Sequence, residues 1–151
     1  MSAFSRILSA GSAFPKRIMT NKEFEAIVET SDEWIRTRTG IKERRVIDSG
    51  SGESTTSLAI EAATSALKNS GLSAKDIDMI VVSTVTADSP MPTTANHIQR
   101  VLGAENAFSF DLQAACAGWV YGVSIADQYI RTGAAKSAIV VGVETLSTIT
   151  N

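Results

Sequence analysis

The only cysteine of the chain, Cys116, lies among very small residues in the segment 113–119, Gln-Ala-Ala-Cys-Ala-Gly-Trp. A β-like stretch at 108–112 precedes it, and apolar residues at helical spacing follow it as far as Gly133, which favours a helix end. Cys116 is therefore predicted at or near a helix N-terminus, where free backbone N–H groups favour negative charge. The thiolate is the nucleophilic form of cysteine, so this position suits covalent catalysis. The alternative is a buried cysteine that acts as a small hydrophobe, and spacing alone does not separate the two.

A second group of residues with chemical potential lies between Trp34 and Arg45. Trp34 and Arg38 are four residues apart, so both project from one face of a predicted helix and can sandwich a flat ring such as adenine. The same segment concentrates cations that suit phosphates or an acidic partner: Arg36, Arg38, Lys42, Arg44 and Arg45. The residues alone favour the simpler interpretation, a solvated basic face with a half-buried tryptophan.

Strand and helix patterns alternate along the chain, which predicts an α/β protein. Capping patterns place helix starts after Thr20 and Ser31, and Gly40 favours the end of the second helix. Further helices are predicted over 54–69 and about 94–102, and strands over 41–47, 79–82, 108–112 and 138–141. Residues 1–14 favour a first strand ending at Pro15 over a signal peptide, because their apolar stretch is short and broken.

The helix predicted after Cys116 carries small residues at every fourth position, namely Gly118, Gly122 and Ala126. Its other faces are also apolar, and a helix that is apolar all round is normally buried. We therefore expect a central, buried helix that holds the cysteine at a fixed depth.

The composition is that of an ordinary globular protein, with 151 residues, 44% hydrophobic and 20% charged. A net charge of −2 argues against a nucleic-acid partner, and no apolar run approaches the ~20 residues that span a bilayer. A single cysteine excludes an intrachain disulfide and fits a reducing compartment, so we expect a cytoplasmic protein. No metal-ligand spacing and no glycine-rich phosphate loop appears, so neither a metal nor a phosphate-loop cofactor is predicted.

Three separated motifs carry a resemblance to a known family. In chain order they are Thr30-Ser31-Asp32-Glu33-Trp34-Ile35-x-x-Arg38-Thr39-Gly40-Ile41, Asp111-x-x-Ala114-Ala115-Cys116-Ala117-Gly118 and Ala126-Asp127-Gln128-Tyr129-Ile130-x-x-Gly133-Ala134. Together they resemble the ketoacyl-acyl-carrier-protein synthase III family, the condensing enzymes that start fatty-acid synthesis. The resemblance covers only the N-terminal half of that family's chains. It implies one N-terminal domain over residues 1–151 of a thiolase-like, five-layer αβαβα fold, with a mixed sheet.

The resemblance also implies a chemistry. Cys116 is the nucleophile that an acyl-CoA acylates, its own N–H is one oxyanion donor, and malonyl-acyl-carrier protein then condenses with the acyl group. The matching Trp34 and Arg38 clasp the adenine of coenzyme A, and Thr30 contacts its nucleotide end. The neighbouring basic surface receives the acidic carrier protein. Coenzyme A is a substrate in this scheme, so no cofactor is required.

Two further residues are interpreted through the resemblance. The family's catalytic histidine and asparagine come from the later half, so His97, the only histidine here, is expected to be structural or superficial. Met91 stands where an aromatic residue of the best-studied pattern reaches into the partner subunit's acyl pocket. A homodimer is thereby implied, and the flexible methionine leaves primer length and branching open.

Three interpretations of function remain. We favour a synthase III; the second is a related condensing enzyme, such as a starter synthase of secondary metabolism or a hydroxymethylglutaryl-CoA synthase-like protein. The third is a catalytically silent half that dimerises or binds a nucleotide, and the cysteine motif together with the Trp34/Arg38 pair speaks against it. Residues 1–151 alone are expected to be poorly soluble or partly molten and inactive, because the apolar helix needs cover on several sides.

Overall fold

The computed structural model describes residues 4–48 and 50–150. Within these ranges the chain forms five strands and five α-helices, joined by short 3₁₀ turns. In chain order they are β1 (Arg17–Thr20), α1 (Asn21–Glu25), α2 (Asp32–Thr39), β2 (Glu43–Val46), α3 (Thr55–Ser70), β3 (Met79–Ser83), α4 (Thr94–Leu102), β4 (Phe108–Leu112), α5 (Gly118–Arg131) and β5 (Ala138–Gly142). Parallel and antiparallel pairing both occur, in separate sheets, and the predicted α/β class is confirmed.

The core is a three-stranded parallel sheet in the order β4-β3-β5. Every residue of β3 is buried, and alternate side chains point to opposite faces. Ile80 and Val82 pack in one cluster with residues of α3 and α4, whereas Met79 and Val81 pack in another with Ala126 of α5. The result is three layers, with α3 and α4 on one side of the sheet and α5 on the other.

The smaller sheet carries the helix that bears Trp34. β1 and β2 pair antiparallel, and α1 and α2 lie between them in the chain. Thr20 caps α1 through the predicted capping box with Glu23, while Ser31 begins α2 and Gly40, at φ 73°, ends it. These local predictions are confirmed. They could be made from the sequence because the capping side chains act within three residues of their helices.

The prediction of a strand ending at Pro15 is wrong. Residues 4–15 have no strand pairing, and β1 begins only at Arg17. The segment instead lies along α3, where the Ser9 hydroxyl donates to the Ala66 carbonyl at 2.7 Å. Gly11 packs so closely on α3 that an added Cβ would collide with the Ala62 carbonyl. The backbone of this segment therefore packs against helix α3 and does not pair with a strand.

Helix α5 meets the sheet through its small residues. Gly118, Gly122 and Ala126 are its buried positions, and the predicted stripe of small residues is confirmed as the packing face. We expected α5 to be buried on all sides. Within the described part of the chain it is not, since Trp119, Val120 and Tyr121 remain about half exposed. No helix in residues 4–48 and 50–150 combines the length and hydropathy that a membrane crossing needs.

Candidate active site

The carboxyl ends of the three parallel strands meet at one edge of the core sheet, which is where α/β proteins commonly place their sites. β3 ends at Ser83, β5 is followed by Glu144, and β4 leads directly into the turn that carries Cys116. Helices α3 and α4 also begin near this edge. The N-terminus of α3 binds the carboxylate of Asp88 in the loop after β3, and the N-terminus of α4 binds the carboxylate of Asp111 in β4.

Cys116 occupies a sharp turn between β4 and α5. Ala115 has φ 44°, in the left-handed region, which costs an L-residue about 1–2 kcal/mol. A 3₁₀ turn over Ala115–Ala117 follows, and α5 begins at Gly118 without a side-chain cap at its N-terminus. Within the described residues the Cys116 side chain is exposed and does not act as a buried hydrophobe. Its predicted place beside a helix N-terminus is confirmed.

The three helices at this edge differ in what occupies their N-termini. Asp88 accepts hydrogen bonds from the backbone N–H groups of Thr55 and Thr56 at the start of α3, at 3.2 and 2.8 Å. Asp111 accepts from Thr94 and Ala95 at the start of α4, at 2.9 and 2.8 Å. At α5 the corresponding end carries the cysteine turn and has neither a side-chain cap nor an acidic residue in the first turn. An anion bound at this end would therefore interact favourably with the helix dipole.

The pKa of Asp88 reflects its place at the start of α3. Partial burial raises the pKa, but hydrogen bonds from Thr56, Ser54 and Thr55 outweigh it and hold the pKa below the ordinary aspartate value of 3.8. The loop that contains Asp88 is thereby fixed to α3 as an anion at neutral pH.

Glu144 ties the loops after β3 and β5 together, and sequence reasoning did not identify it. Its carboxylate accepts from the Val85 N–H at 2.9 Å and from the Thr86 hydroxyl at 2.7 Å, with the Thr84 hydroxyl at 3.4 Å. The Thr86 hydroxyl oxygen in turn accepts from the Thr145 N–H at 2.9 Å. The available signal was the position of these polar residues directly after the apolar runs 79–82 and 138–141.

Met91 lies on the loop between β3 and α4, followed by a cis peptide bond to Pro92. Its side chain is 83% exposed, which places it among the most exposed large apolar groups of the described residues. The Ser89 hydroxyl donates to the Pro92 carbonyl at 3.1 Å and closes the loop on itself. The loop therefore presents Met91 outward from an anchored base.

Thr30 and Trp34 border one depression of about 260 Å³, together with Glu29 and Ser31. Trp34 is 58% exposed, and the guanidinium carbon of Arg38 lies 6.0 Å from its ring centroid, at the outer limit of a cation–π contact. The structure thus brings together the three residues assigned to nucleotide contact. They lie on or beside α2, whereas Cys116 lies at the edge of the core sheet.

The predicted group of five cations is divided by the structure. Arg44 stacks over the Phe24 ring at 4.6 Å and donates to the buried Asn21 side chain at 2.6 Å. Arg45 donates to the carbonyls of Pro15 and Lys16, each at 3.2 Å. Successive residues of β2 face opposite ways, so a single continuous basic surface does not form from this group.

His97 lies half-buried in α4, as its sequence position predicts. Its backbone N–H donates to the Thr93 carbonyl at 3.2 Å within the helix. Across the described residues, no three His, Cys, Asp or Glu side chains are grouped in a way that could hold a metal ion.

Comparisons with known proteins agree with this architecture. The family model for 3-Oxoacyl-[acyl-carrier-protein (ACP)] synthase III matches residues 110–151, which include the Cys116 turn. The chain is 52% identical over 139 residues to beta-ketoacyl-[acyl-carrier-protein] synthase III of Rhizobium rhizogenes, an alignment covering 92% of this chain and 42% of that protein.

Two solved structures extend the comparison. The 3-oxoacyl-[acyl-carrier-protein] synthase III from Aquifex aeolicus superposes with a TM-score of 0.89 at 43% identity, over 95% of this chain and 46% of that one. The priming beta-ketosynthase from the R1128 polyketide biosynthetic pathway gives a TM-score of 0.91 at 38% identity, over 97% and 43% of the two chains.

The fold, with its Cys116 turn between a parallel strand and a closely packed helix, is that of the thiolase-like proteins. Within that class, the chain belongs to the 3-oxoacyl-acyl-carrier-protein synthase III family. It spans slightly less than half the length of the curated relatives and solved structures it matches.

Proposed function

We propose that this chain is the amino-terminal half of a 3-oxoacyl-acyl-carrier-protein synthase III, which starts fatty-acid synthesis by acyl transfer and decarboxylative condensation. The observation that carries the proposal is the exposed Cys116 on a strained turn before the uncapped N-terminus of α5. A thiol placed there is accessible to a thioester, and negative charge that develops beside the uncapped helix end is stabilised by the helix dipole.

The first step is transfer of an acyl group to Cys116. Its thiolate attacks the thioester carbon of an acyl-CoA, and the backbone N–H of Cys116 stabilises the tetrahedral oxyanion. The bond from carbon to the CoA sulfur then breaks, and CoA leaves as its thiolate, which takes up a proton. A new thioester at Cys116 holds the acyl group.

The second step uses groups from the other half of the complete protein. Malonyl-acyl-carrier protein loses carbon dioxide, and a histidine and an asparagine of that half stabilise the enolate. Its carbon attacks the acyl thioester, releasing the Cys116 thiolate and giving 3-oxoacyl-acyl-carrier protein. Neither step consumes a redox equivalent.

The depression bordered by Thr30 and Trp34 suits the nucleotide of coenzyme A. The exposed indole offers a stacking face to adenine, and Arg38 can close on it because its guanidinium lies 6.0 Å from the indole ring. Arg38 and Lys42 supply positive charge near the phosphates and near an acidic carrier protein.

The proposal extends to assembly and location. Met91 projects from the anchored loop and reaches the acyl pocket of a second copy, so the working protein is a homodimer. The single cysteine fits the reducing environment of the cytoplasm, where we place the protein. A starter synthase of secondary metabolism is the second candidate, supported by the 38% identity to the R1128 priming enzyme and by a methionine at position 91.

A condensation assay on the complete protein tests the function. The assay combines acetyl-CoA, malonyl-acyl-carrier protein and enzyme, and mass spectrometry follows the 3-oxoacyl product on the carrier. We expect product from the wild type, none from Cys116→Ala, and product from the control variant His97→Gln. Absence of product with acetyl and branched or longer primers would contradict the proposal. Preference for a longer primer over acetyl would favour the second candidate.

A further inference from the structure

Two polar side chains on one face of β4 hold α4 in place. Ser109 and Asp111 alternate with Phe110 and Leu112, which pack toward α5. The Ser109 hydroxyl donates to the Gln99 side chain at 2.6 Å and accepts from the Asn96 side chain at 2.8 Å. The face of β4 toward α4 therefore carries polar side chains, and the face toward α5 carries apolar side chains.

Asp111 makes the attachment at the end of α4 nearest the site. Its two carboxylate oxygens each accept one backbone N–H of the first turn, from Thr94 at 2.9 Å and Ala95 at 2.8 Å. Bonds from backbone amides to a carboxylate are among the stronger hydrogen bonds of proteins, and the helix dipole adds to them. Both residues that donate are buried, which shields the contact from water.

The chain on either side of this contact leads to the two parts of the acyl site. Met91 lies three residues before Thr94, on the loop that ends where α4 begins. Cys116 lies five residues after Asp111, on the strained turn that ends β4. The Asp111 carboxylate is thus a short bridge between the Met91 loop and the Cys116 turn.

We infer that Asp111 is a positioning residue that couples the Met91 loop to the Cys116 turn and so sets which acyl primers reach the nucleophile. The inference rests on the proposed function for its consequence, since it assigns the acyl site to Cys116 and Met91. The hydrogen bonds of the Asp111 carboxylate go to the backbone of α4 and not to Cys116. It acts by fixing the distance between the two elements.

Three variants of the complete protein separate this role from simple stabilisation. Asp111→Asn keeps the size of the side chain but sets an amide NH2 against one of the two N–H donors. Thr93→Ala is the matched control, because the Thr93 hydroxyl caps the same helix end at Asn96, at 3.2 Å, without reaching β4. Asp78→Asn controls for loss of a carboxylate that binds the Lys136 and Ser137 N–H groups at the other end of β3.

Two measurements are made on each variant. Hydrogen exchange by mass spectrometry is followed in peptides covering 88–97 and 113–120. Acylation of Cys116 is timed with acetyl-CoA and with a four-carbon acyl-CoA, and the ratio of the two rates is compared with wild type. A change in stability alone alters the amount of active protein and leaves this ratio unchanged.

For Asp111→Asn we expect faster exchange in both peptides, roughly tenfold slower acylation with acetyl-CoA, and a changed primer ratio, as misplacement of reacting groups produces. Thr93→Ala should speed hydrogen exchange only in the 88–97 peptide, and Asp78→Asn should change exchange in neither peptide. Both control variants should keep the wild-type ratio of acylation rates for the two primers. Unchanged exchange in 113–120, or an unchanged primer ratio, for a folded Asp111→Asn variant would overturn the inference.

If Asp111→Asn does not fold, Ser109→Ala decides, since it weakens the attachment of β4 to the same helix by removing two uncharged hydrogen bonds, to Asn96 and Gln99. A change in the primer ratio in the same sense in every preparation supports the inference, and a wild-type ratio overturns it. If the wild type is not acylated at Cys116, the proposed function fails, whereas the hydrogen exchange of 113–120 still decides whether Asp111 couples the two elements.

Discussion

Gly118 approaches Ser83 so closely that a methyl group at position 118 would overlap the Ser83 hydroxyl and its Cβ. This contact joins the first turn of α5 to the end of β3, two residues after Cys116. The absence of a side chain at position 118 thus sets how closely the Cys116 turn packs against the sheet.

Gly118→Ala should therefore displace the start of α5 and cost about 1–3 kcal/mol, the range for overpacking a close contact. Urea unfolding measures the stability, and acylation of Cys116 measures the effect on the site. The double variant Gly118→Ala/Ser83→Gly removes the opposing atoms and should recover part of both. Equal stability for wild type and Gly118→Ala would show that the contact does not constrain the turn.

Replacing Trp34 by alanine should weaken coenzyme A binding by roughly 1–3 kcal/mol, the scale for losing an aromatic side chain that stacks on a base. Isothermal titration of CoA into the complete protein gives the affinity. Trp34→Phe is the matched variant and should retain most of the binding because a stacking face remains. A folded Trp34→Ala protein with wild-type affinity would return Trp34 to the interpretation as a half-buried surface residue.

Asp88→Asn should lower stability at neutral pH by about 0.5–2 kcal/mol, the range for loss of a helix cap. The folded protein holds the pKa of Asp88 below the ordinary 3.8, so its contribution is complete above that value and fades as the pH falls through the folded pKa. The difference in free energy of unfolding between variant and wild type should then shrink as the pH falls below about 3.8.

Urea titrations between pH 3 and pH 7 measure the Asp88 effect. Asp48→Asn is a suitable control, because Asp48 pairs with Arg17 on the surface, where an ion pair contributes little. A difference between Asp88→Asn and wild type that did not change with pH would contradict the role of the charged carboxylate.

Local sequence signals predicted much of the fold. The caps at Thr20, Ser31 and Gly40 act within one turn, and the boundaries of α4 and β4 match the residues where their patterns begin and end. The position of Cys116 beside a helix N-terminus followed from the change of pattern at 113–119. Each of these depends on residues close together in the chain.

The carboxylates that organise the site could not be predicted from the same signals. Asp88, Asp111 and Glu144 bind partners 16 or more residues away, and those partners depend on the parallel register of β4, β3 and β5. The strand expected before Pro15 failed for the same reason. Its apolar pattern permits a strand, but pairing requires a neighbouring strand, and the segment met α3.

Residues 1–151 expressed alone should be poorly soluble or partly molten and show no condensing activity. Trp119, Val120 and Tyr121 expose an apolar face of α5, and exposure of apolar area costs about 25 cal/mol per Å² and favours aggregation. Near-UV circular dichroism and the condensation assay test this, and addition of the other half should restore both. A monomeric, sharply melting and active fragment would contradict the expectation and make His97 a candidate base.

The site of acylation decides directly whether Cys116 is the nucleophile. The complete protein is mixed with acetyl-CoA, and intact and peptide mass spectrometry locate the adduct, with Cys116→Ala as the control. We predict one acetyl group per chain, carried by the peptide containing Cys116 and absent from the variant. An adduct on another residue, or none with any of a range of acyl-CoA primers, would contradict the assignment of Cys116 as the nucleophile.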